Sequence, residues 1–276
     1  MCSVFKVSGS GYYYWLKHPI GERAHKQTKL LVHIRQVFEN SKCRYGSPRI
    51  AVELNAQGIK ASRPRVARLM RKAHIQSIIR KKHKVQTTDS THLYTLAENL
   101  LNRDFSADKL GQKWVSDLTY IRTGQGWLYL TTVLDLADRK IIGWALSDTM
   151  EASQTSVPAW KMAVKNRPIT SQLIFHSDRG IQYACNEFRT QFAEMPVLQS
   201  MSRKGNCWDN AVAESFFKTM KTEMVCQVKF ETKKQAKLAV FEYIEVWYNR
   251  ERRHSSLGYL TPCEFEKLLK SNAIAA

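Results

Sequence analysis

Between His176 and Phe217 the chain carries two carboxylates in unlike local settings at a fixed separation, and no other stretch limits the fold as much. Asp178 follows the apolar run Leu173-Ile174-Phe175 and precedes Arg179-Gly180, the pattern of a buried strand ending in a loop. Glu214 lies where Ala213, Phe217, Met220 and Met224 recur at helical spacing, which predicts a helix with those four on its buried side. Thirty-five residues separate the two acids. A third, Asp117, sits inside the β-rich run Trp114 to Ile121, where an acid is costly unless something positive meets it.

The pattern around these acids is one of alternating elements. Trp114 begins a first strand, Thr123-Gly124-Gln125-Gly126 supplies a turn, Trp127 to Leu136 makes a second strand and Lys140 to Leu146 a third. A helix is predicted over Ser153 to Asn166, a fourth strand over Leu173 to His176, a helix near Asn186 to Ala193 and a short strand over Val197 to Ser200. With the Glu214 helix the order is βββαβαβα, an α/β arrangement with a mixed sheet and helices on its faces.

Three carboxylates brought together repel one another, so a fold that assembles them needs a cation. Oxygen-only ligands with open positions favour Mg²⁺ or Mn²⁺. Trp114 to Tyr120 (WVSDLTY), His176 to Tyr183 (HSDRGIQY) and Ser200 to Ser215 (SMSRKGNCWDNAVAES) carry these acids, and with SGSGYYYWLK near the start and YNRERRHSSLGYLTP near the end they resemble one family nearly end to end. It is the Asp-Asp-Glu transposases of bacterial insertion sequences, in particular the second reading-frame product, whose catalytic core is shared with retroviral integrases. The resemblance implies a ribonuclease-H-like fold in which Asp117, Asp178 and Glu214 converge at one sheet edge. It implies that they hold two Mg²⁺ ions, replaceable by Mn²⁺, for cleavage and strand transfer at the ends of an insertion sequence. The expected partners are double-stranded DNA, as terminal inverted repeats and target, further copies of the chain, and the protein of a short upstream frame.

Charge agrees with such a partner. Lys plus Arg outnumber Asp plus Glu by 43 to 24, a formal charge of +19, which suits a polyanion, either nucleic acid or an anionic membrane surface. No apolar run approaches the roughly eighteen residues of a membrane span and the first residues lack a signal pattern, so a cytoplasmic, nucleoid-associated protein is expected. The six cysteines include no C-x-x-C pair, which argues against a disulfide framework and a zinc ribbon. Retroviral integrases carry a His/Cys zinc module before the core, but here His18, His25 and His33 precede a lone Cys43, so no structural zinc is expected.

Residues 1–85 read as a helical DNA-binding module. Tyr12 to Trp15 are assigned to packing rather than base stacking, and a helix is predicted from Gln27 to Phe38. Ser47-Pro48 reads as a cap and first helical proline, Gly58 as the end of that helix, and Ser62 as the cap of a second over Arg63 to Ala73. On this second helix Arg63, Arg65, Arg68, Arg71 and Lys72 face outward. Two helices around a glycine turn fit a helix-turn-helix. A basic helix is often only a solvated face, but between Glu53 and Asp89 stand ten Lys or Arg and no acid. The family also places a helix-turn-helix-like segment here, which favours DNA contact.

Residues 86–110 are a linker and docking segment, preceded by the basic Arg80 to Lys84, with Glu98 to Arg103 expected to dock as a short helical turn. The catalytic core is assigned to 111–228 and a helical extension to 229–276, with a helix over Lys233 to Arg250 and a basic tail, Asn249 to His254, expected to touch DNA. Lys218 and Lys221 follow Glu214 by four and seven residues and share its helix face. They are either solvated lysines or phosphate ligands; the position of Lys221 is basic throughout the resembling family, which favours the latter. Asp135 is read as bracing a strand end and Asp209 as capping the Glu214 helix, and with Asp138 they stay outside the metal set. His176 shares strand parity with Asp178 and is either a site neighbour or a hydrogen-bonded structural histidine. Two rival functions remain, a nuclease on the same scaffold and a non-catalytic DNA-binding regulator.

Overall fold

The computed structural model describes residues 2–18, 21–78 and 94–275. Its contacts divide the chain into two units, Met1–Ile79 and Arg80–Ala276. The basic run 80–84 and the polar run 86–91 lie outside the described residues.

The first unit contains α1 (Gly9–Lys17), α2 (Glu22–Asn40), α3 (Ser47–Ala56) and α4 (Arg63–Lys72). Leu30, Ile34 and Val37 of α2 meet Ile50 and Leu54 of α3 and Val66, Leu69 and Met70 of α4, all buried. Each set follows the three-and-four spacing of one helix face. The turn between α3 and α4 is held by Asn55, whose amide donates to the Ala51 and Ala61 carbonyls at 2.6 and 2.9 Å, while Gly58 takes a positive φ of 80°. Gly46, not Ser47, occupies the cap of α3, and Ser62 stands at the cap of α4 without accepting a bond there. The expectation that Tyr12 to Trp15 pack inward is wrong. α1 buries none of its residues, and Tyr13, Tyr14 and Trp15 lie open on its surface.

The second unit is built on a five-stranded sheet of β1 (Lys113–Thr123), β2 (Gly126–Asp135), β3 (Ile141–Ser147), β4 (Leu173–Ser177) and β5 (Val197–Met201), in the order β3-β2-β1-β4-β5. The first three pair antiparallel through short connections, and β4 and β5 add parallel to β1 after helical crossovers. The crossover α5 (Ser156–Asn166) lies so close on β3 that a Cβ at Gly143 would collide with the Ala159 carbonyl oxygen. Trp114, Trp160, Phe175, Tyr183 and Phe188 fill the core beneath, with Trp160 edge-on to Trp114 and Phe175. The single helix expected near 186–193 is instead two short turns, α6 (Ile181–Ala184) and α7 (Asn186–Arg189), followed by a 3-10 turn at Thr190–Phe192. This is the ribonuclease-H-like order of a mixed sheet with helices on its faces.

The Glu214 helix, α8 (Ala211–Met220), widens into a π turn over Lys221–Val225. A similar widening carries α9 (Lys233–Phe241) into Glu242–Glu251, and α10 (Pro262–Ala275) closes the unit. Glu98–Arg103 does dock on the core, but not as a helical turn. Its Leu100 and Leu101 amides donate to Ser200 Oγ at 2.9 and 3.2 Å, and the chain reverses through Asn102 and Arg103, both at positive φ. Arg252, counted above in a DNA-facing tail, is buried and donates to Glu223 from Nε and Nη at 2.9 to 3.1 Å. It locks the stretch after α9 to the one after α8.

Candidate active site

The parallel pairing of β1 with β4 runs only to Val115 and His176. Two residues beyond that last pair come Asp117, still in β1, and Asp178, just past the end of β4, close enough that the charge of Asp178 is felt at Asp117. Asp117 Oδ1 accepts from the Leu118 amide at 2.8 Å and Asp178 Oδ1 from the Gly180 amide at 3.0 Å. The start of α8 is tied to the same strand, because Asn210 Nδ2 donates to the Ser116 carbonyl at 3.1 Å. One turn further along α8 stands Glu214.

All three carboxylates are half-buried, and they feel one another. Burial first, then the charge of Asp178, then that of Glu214 push the Asp117 proton affinity well above the ordinary carboxylate range. The Leu118 amide and the Lys221 charge act the other way. Glu214 is raised by burial and by Asp178. Beneath them the buried Tyr183 phenol shares a 2.8 Å hydrogen bond with Ser116 Oγ, and burial together with Asp178 and Asp117 keeps it protonated. Among the described residues no three His, Cys, Asp or Glu side chains are arranged to enclose a single ion.

The two lysines separate. Lys221 is half-buried, its Nζ lies 5.2 Å from the Tyr120 ring centroid, and its charge reaches Asp117. Lys218 stays at the surface. His176 is a structural residue: its buried ring bonds Ser200 Oγ at 2.8 Å and Ser202 Oγ at 3.1 Å, and burial lowers its pKa to about 4.

The other acids are compensated. Asp135 braces the end of β2 by accepting from the Trp114 indole, the Gly111 amide and Arg167 at 3.0, 2.7 and 2.6 Å, and Asp138 shares Arg167 at 2.7 Å. Asp209 does not cap α8. It is buried and accepts from Arg203, Arg103 and Asn99 at 2.8 to 2.9 Å, which clamps the loop before α8 to the docking segment. Tyr183 and Asn210 are not among the residues expected at the site, although both fall inside the HSDRGIQY and 200–215 motifs. The signal available was their place one turn before or after a motif acid.

In the first unit Arg63, Arg68, Arg71 and Lys72 are exposed along α4 and Arg65 is half-buried. Arg65 and Arg68 face Arg23 and Lys26 of α2 across an open groove that Glu22 and Gln27 also line.

Family models match in the same order along the chain: an HTH-like domain over 25–83 and an integrase core domain over 107–207, with a second integrase core model over 214–268, which begins at Glu214. The transposase InsF for insertion sequence IS3A of Escherichia coli (strain K12) is 39% identical over 96% of this chain and 92% of its own length. The chain belongs to the IS3 family of insertion-sequence transposases. An uncharacterized 31 kDa protein of insertion element IS600 from Shigella sonnei is also 39% identical, over 97% of both chains. Membership makes this a transposase with an integrase core, a polynucleotidyl transferase in general class, and a DNA-binding protein through its HTH-like domain. The catalytic core domain of BIV integrase covers 59% of the transposase at 15% identity with a TM-score of 0.44, and that of HTLV-2 integrase in complex with magnesium covers 56% at 11% with 0.42. The fold assignment rests on sheet order and the family models instead. Among the described residues no helix is long and apolar enough to cross a membrane.

Proposed function

We propose that Asp117, Asp178 and Glu214 hold two Mg²⁺ ions, for which Mn²⁺ can substitute, and that this site cuts and joins DNA at the ends of an insertion sequence. The observation that carries the reading is the convergence of three acids from a strand, a strand end and a helix, with Asp117 and Glu214 raised in proton affinity by burial and by the charge of Asp178. An all-oxygen donor set with surplus negative charge suits a hard divalent ion, and Mg²⁺ commonly takes only one or two carboxylates, with water and substrate phosphate completing its shell. When bound, the ions supply activation of the attacking oxygen and neutralisation of charge on the leaving 3′ oxygen.

The chain's own residues orient and hold. The Leu118 and Gly180 amides fix the Asp117 and Asp178 carboxylates, and Asn210 fixes the approach of α8. Lys221 stands beside Asp117 to receive a phosphate close to the reacting bond, with Lys218 further out. Water opens the strand at the element's end, and the freed 3′-hydroxyl then attacks a second phosphodiester, so no side chain acts as nucleophile. Arg63, Arg65, Arg68, Arg71 and Lys72 contact the terminal inverted repeats, and copies of the chain, with the upstream-frame protein, join two ends. In functional terms 1–85 reads DNA, 86–110 connects, 111–228 reacts and 229–276 braces.

The test is to incubate the purified transposase with the DNA ends of its own element and Mg²⁺ and to resolve the products. Nicked ends followed by joined ends are expected. Nicks that never join would make the protein a nuclease, and binding with no cleavage a regulator. Calorimetric titration of Mg²⁺ into wild type and Asp117→Asn supplies a readout independent of turnover.

A further inference from the structure

The β1–β2 hairpin runs past the acids and presents an unusual outer face. Tyr120 and Trp127 are 38% and 46% exposed and meet edge to face with ring centroids 5.2 Å apart. In the register Tyr120 faces Tyr129 and Arg122 faces Trp127, so the two rings are diagonal neighbours on one side of the ribbon, with exposed Arg122 beside them. Ile121 and Leu128, on the opposite side, are fully buried. The hairpin is thus firmly seated through one face while its aromatic face is left to solvent. Its tip is pinned as well: Gly124 N donates to the Phe230 carbonyl at 2.9 Å, Gln125 Oε1 accepts from the Lys233 amide at 2.9 Å, and a Cβ at Gly124 would meet the Glu231 carbonyl oxygen at 2.6 Å.

Lys221 connects this ledge to the acids, since its Nζ lies over the Tyr120 ring. Tyr120 is three residues beyond Asp117 on β1, about 10 Å along the strand and the length of about three stacked nucleotides; the odd separation turns the two side chains to opposite faces, and Lys221, over the ring and within charge range of Asp117, joins them. We infer that Tyr120 and Trp127 form a stacking platform for one unpaired base of the DNA end, within about three nucleotides of the reacting phosphodiester, with Lys221 and Arg122 receiving the flanking phosphates. The inference rests on the proposed role of Asp117, Asp178 and Glu214. Rigid rings between two cations match the alternation of bases and phosphates in a single strand, and stacking on aromatic rings is tolerant of base identity. A base held there leaves the duplex next to the bond to be attacked, which orients that bond for in-line displacement.

The experiment uses the full-length transposase and duplex ends carrying 2-aminopurine at each of the last four positions in turn, with Asp117→Asn protein so that binding is read without chemistry. Fluorescence at one position is expected to change as the base leaves the duplex and stacks. Tyr120→Leu and Trp127→Leu are expected to erase that position's signal and to weaken joining by wild-type-triad protein on the order of tenfold, while Trp127→Phe restores most of both. An abasic nucleotide at the same position should remove the difference between each Leu variant and wild type, which a merely structural role would not do. Wild-type fluorescence in both Leu variants, or a tenfold defect that persists on abasic DNA, overturns the platform. Should Asp117→Asn prove active in joining, the triad falls while the fluorescence series still judges the platform.

Discussion

Asp209 and Asp117 are acids of the same unit with opposite fates. Asp209 is wholly buried, yet Arg203, through its side chain and backbone N–H, and Arg103 hold its proton affinity well below the usual carboxylate range. Asp117 keeps some exposure, yet its proton affinity rises, first through burial and then through the charge of Asp178, with the Leu118 amide opposing and Glu214 adding a smaller push. Burial alone therefore does not set the direction in which the proton affinity of an acid moves. The difference lies in what the fold supplies to offset the charge: Asp209 has two arginines, and Asp117 has only the Leu118 amide and the Lys221 charge, which leaves room for the proposed cations.

The largest expected effect tests the uncompensated side. Asp117→Asn, Asp178→Asn or Glu214→Gln should each lower cleavage and joining by on the order of a thousandfold or more, by analogy with loss of a main electrostatic element of a site, with DNA binding retained and the melting temperature no lower than wild type. A gel assay of joined ends beside a thermal melt checks both halves, and any variant that keeps more than a few per cent of activity leaves the triad.

The compensated side should behave in reverse. Arg252→Met leaves Glu223 in the interior without its cation, facing neutral donors such as Tyr243 and Trp247, and is expected to destabilise the fold by about 3–5 kcal/mol, seen as a shift in denaturant midpoint. Glu223 is held below its usual range mainly by Arg252, against its own burial. A shift of under about 1 kcal/mol would show that water relieves the stranded acid.

A pH series sharpens the contrast through opposite signs. Asp209 has a lowered folded pKa, so its contribution is present above the ordinary carboxylate pKa of about 3.9 and is lost as pH falls below it. Asp117 has a raised one, so the wild type loses stability as pH climbs from that value through the raised pKa. Melting temperatures of Asp209→Asn and Asp117→Asn against wild type, from about pH 2 to 7, should diverge in opposite directions, the Asp209 difference shrinking below the ordinary carboxylate pKa and the Asp117 difference growing above it; parallel curves would contradict the comparison.

The smallest effect concerns the cation at the edge of the triad. Lys221→Ala should flatten the salt dependence of DNA binding by about one unit of slope and slow joining at saturating DNA by about tenfold. Lys218→Ala, at the open surface, should change the joining rate little. Equal effects from both lysines would return Lys221 to an ordinary solvated charge.

Much of this was legible from residue order. Strand and helix periods depend on the local alternation of apolar and polar side chains, so the βββαβαβα order, the buried face of α8 and the two basic-module helices could be read before any contact was known. The short motifs around Asp117, Asp178 and Glu214 carried the family in the same way. What local order cannot contain is the partner of a charge. Asp209 looked like a cap and became a clamp because Arg103, more than a hundred residues earlier, folds back onto it. Arg252 looked like a surface cation and became buried because Glu223 lies across the packed helices. His176 could be settled only by Ser200 and Ser202 on the far side of the strand pair. Lys218 and Lys221 share a helix face in sequence, but the widened turn and the edge of β1 bring one to the acids and leave the other in water. Local pattern determines which residues form a strand or a helix, since that depends on neighbours along the chain. Which acids are compensated depends on neighbours in space, and only the tertiary fold decided it.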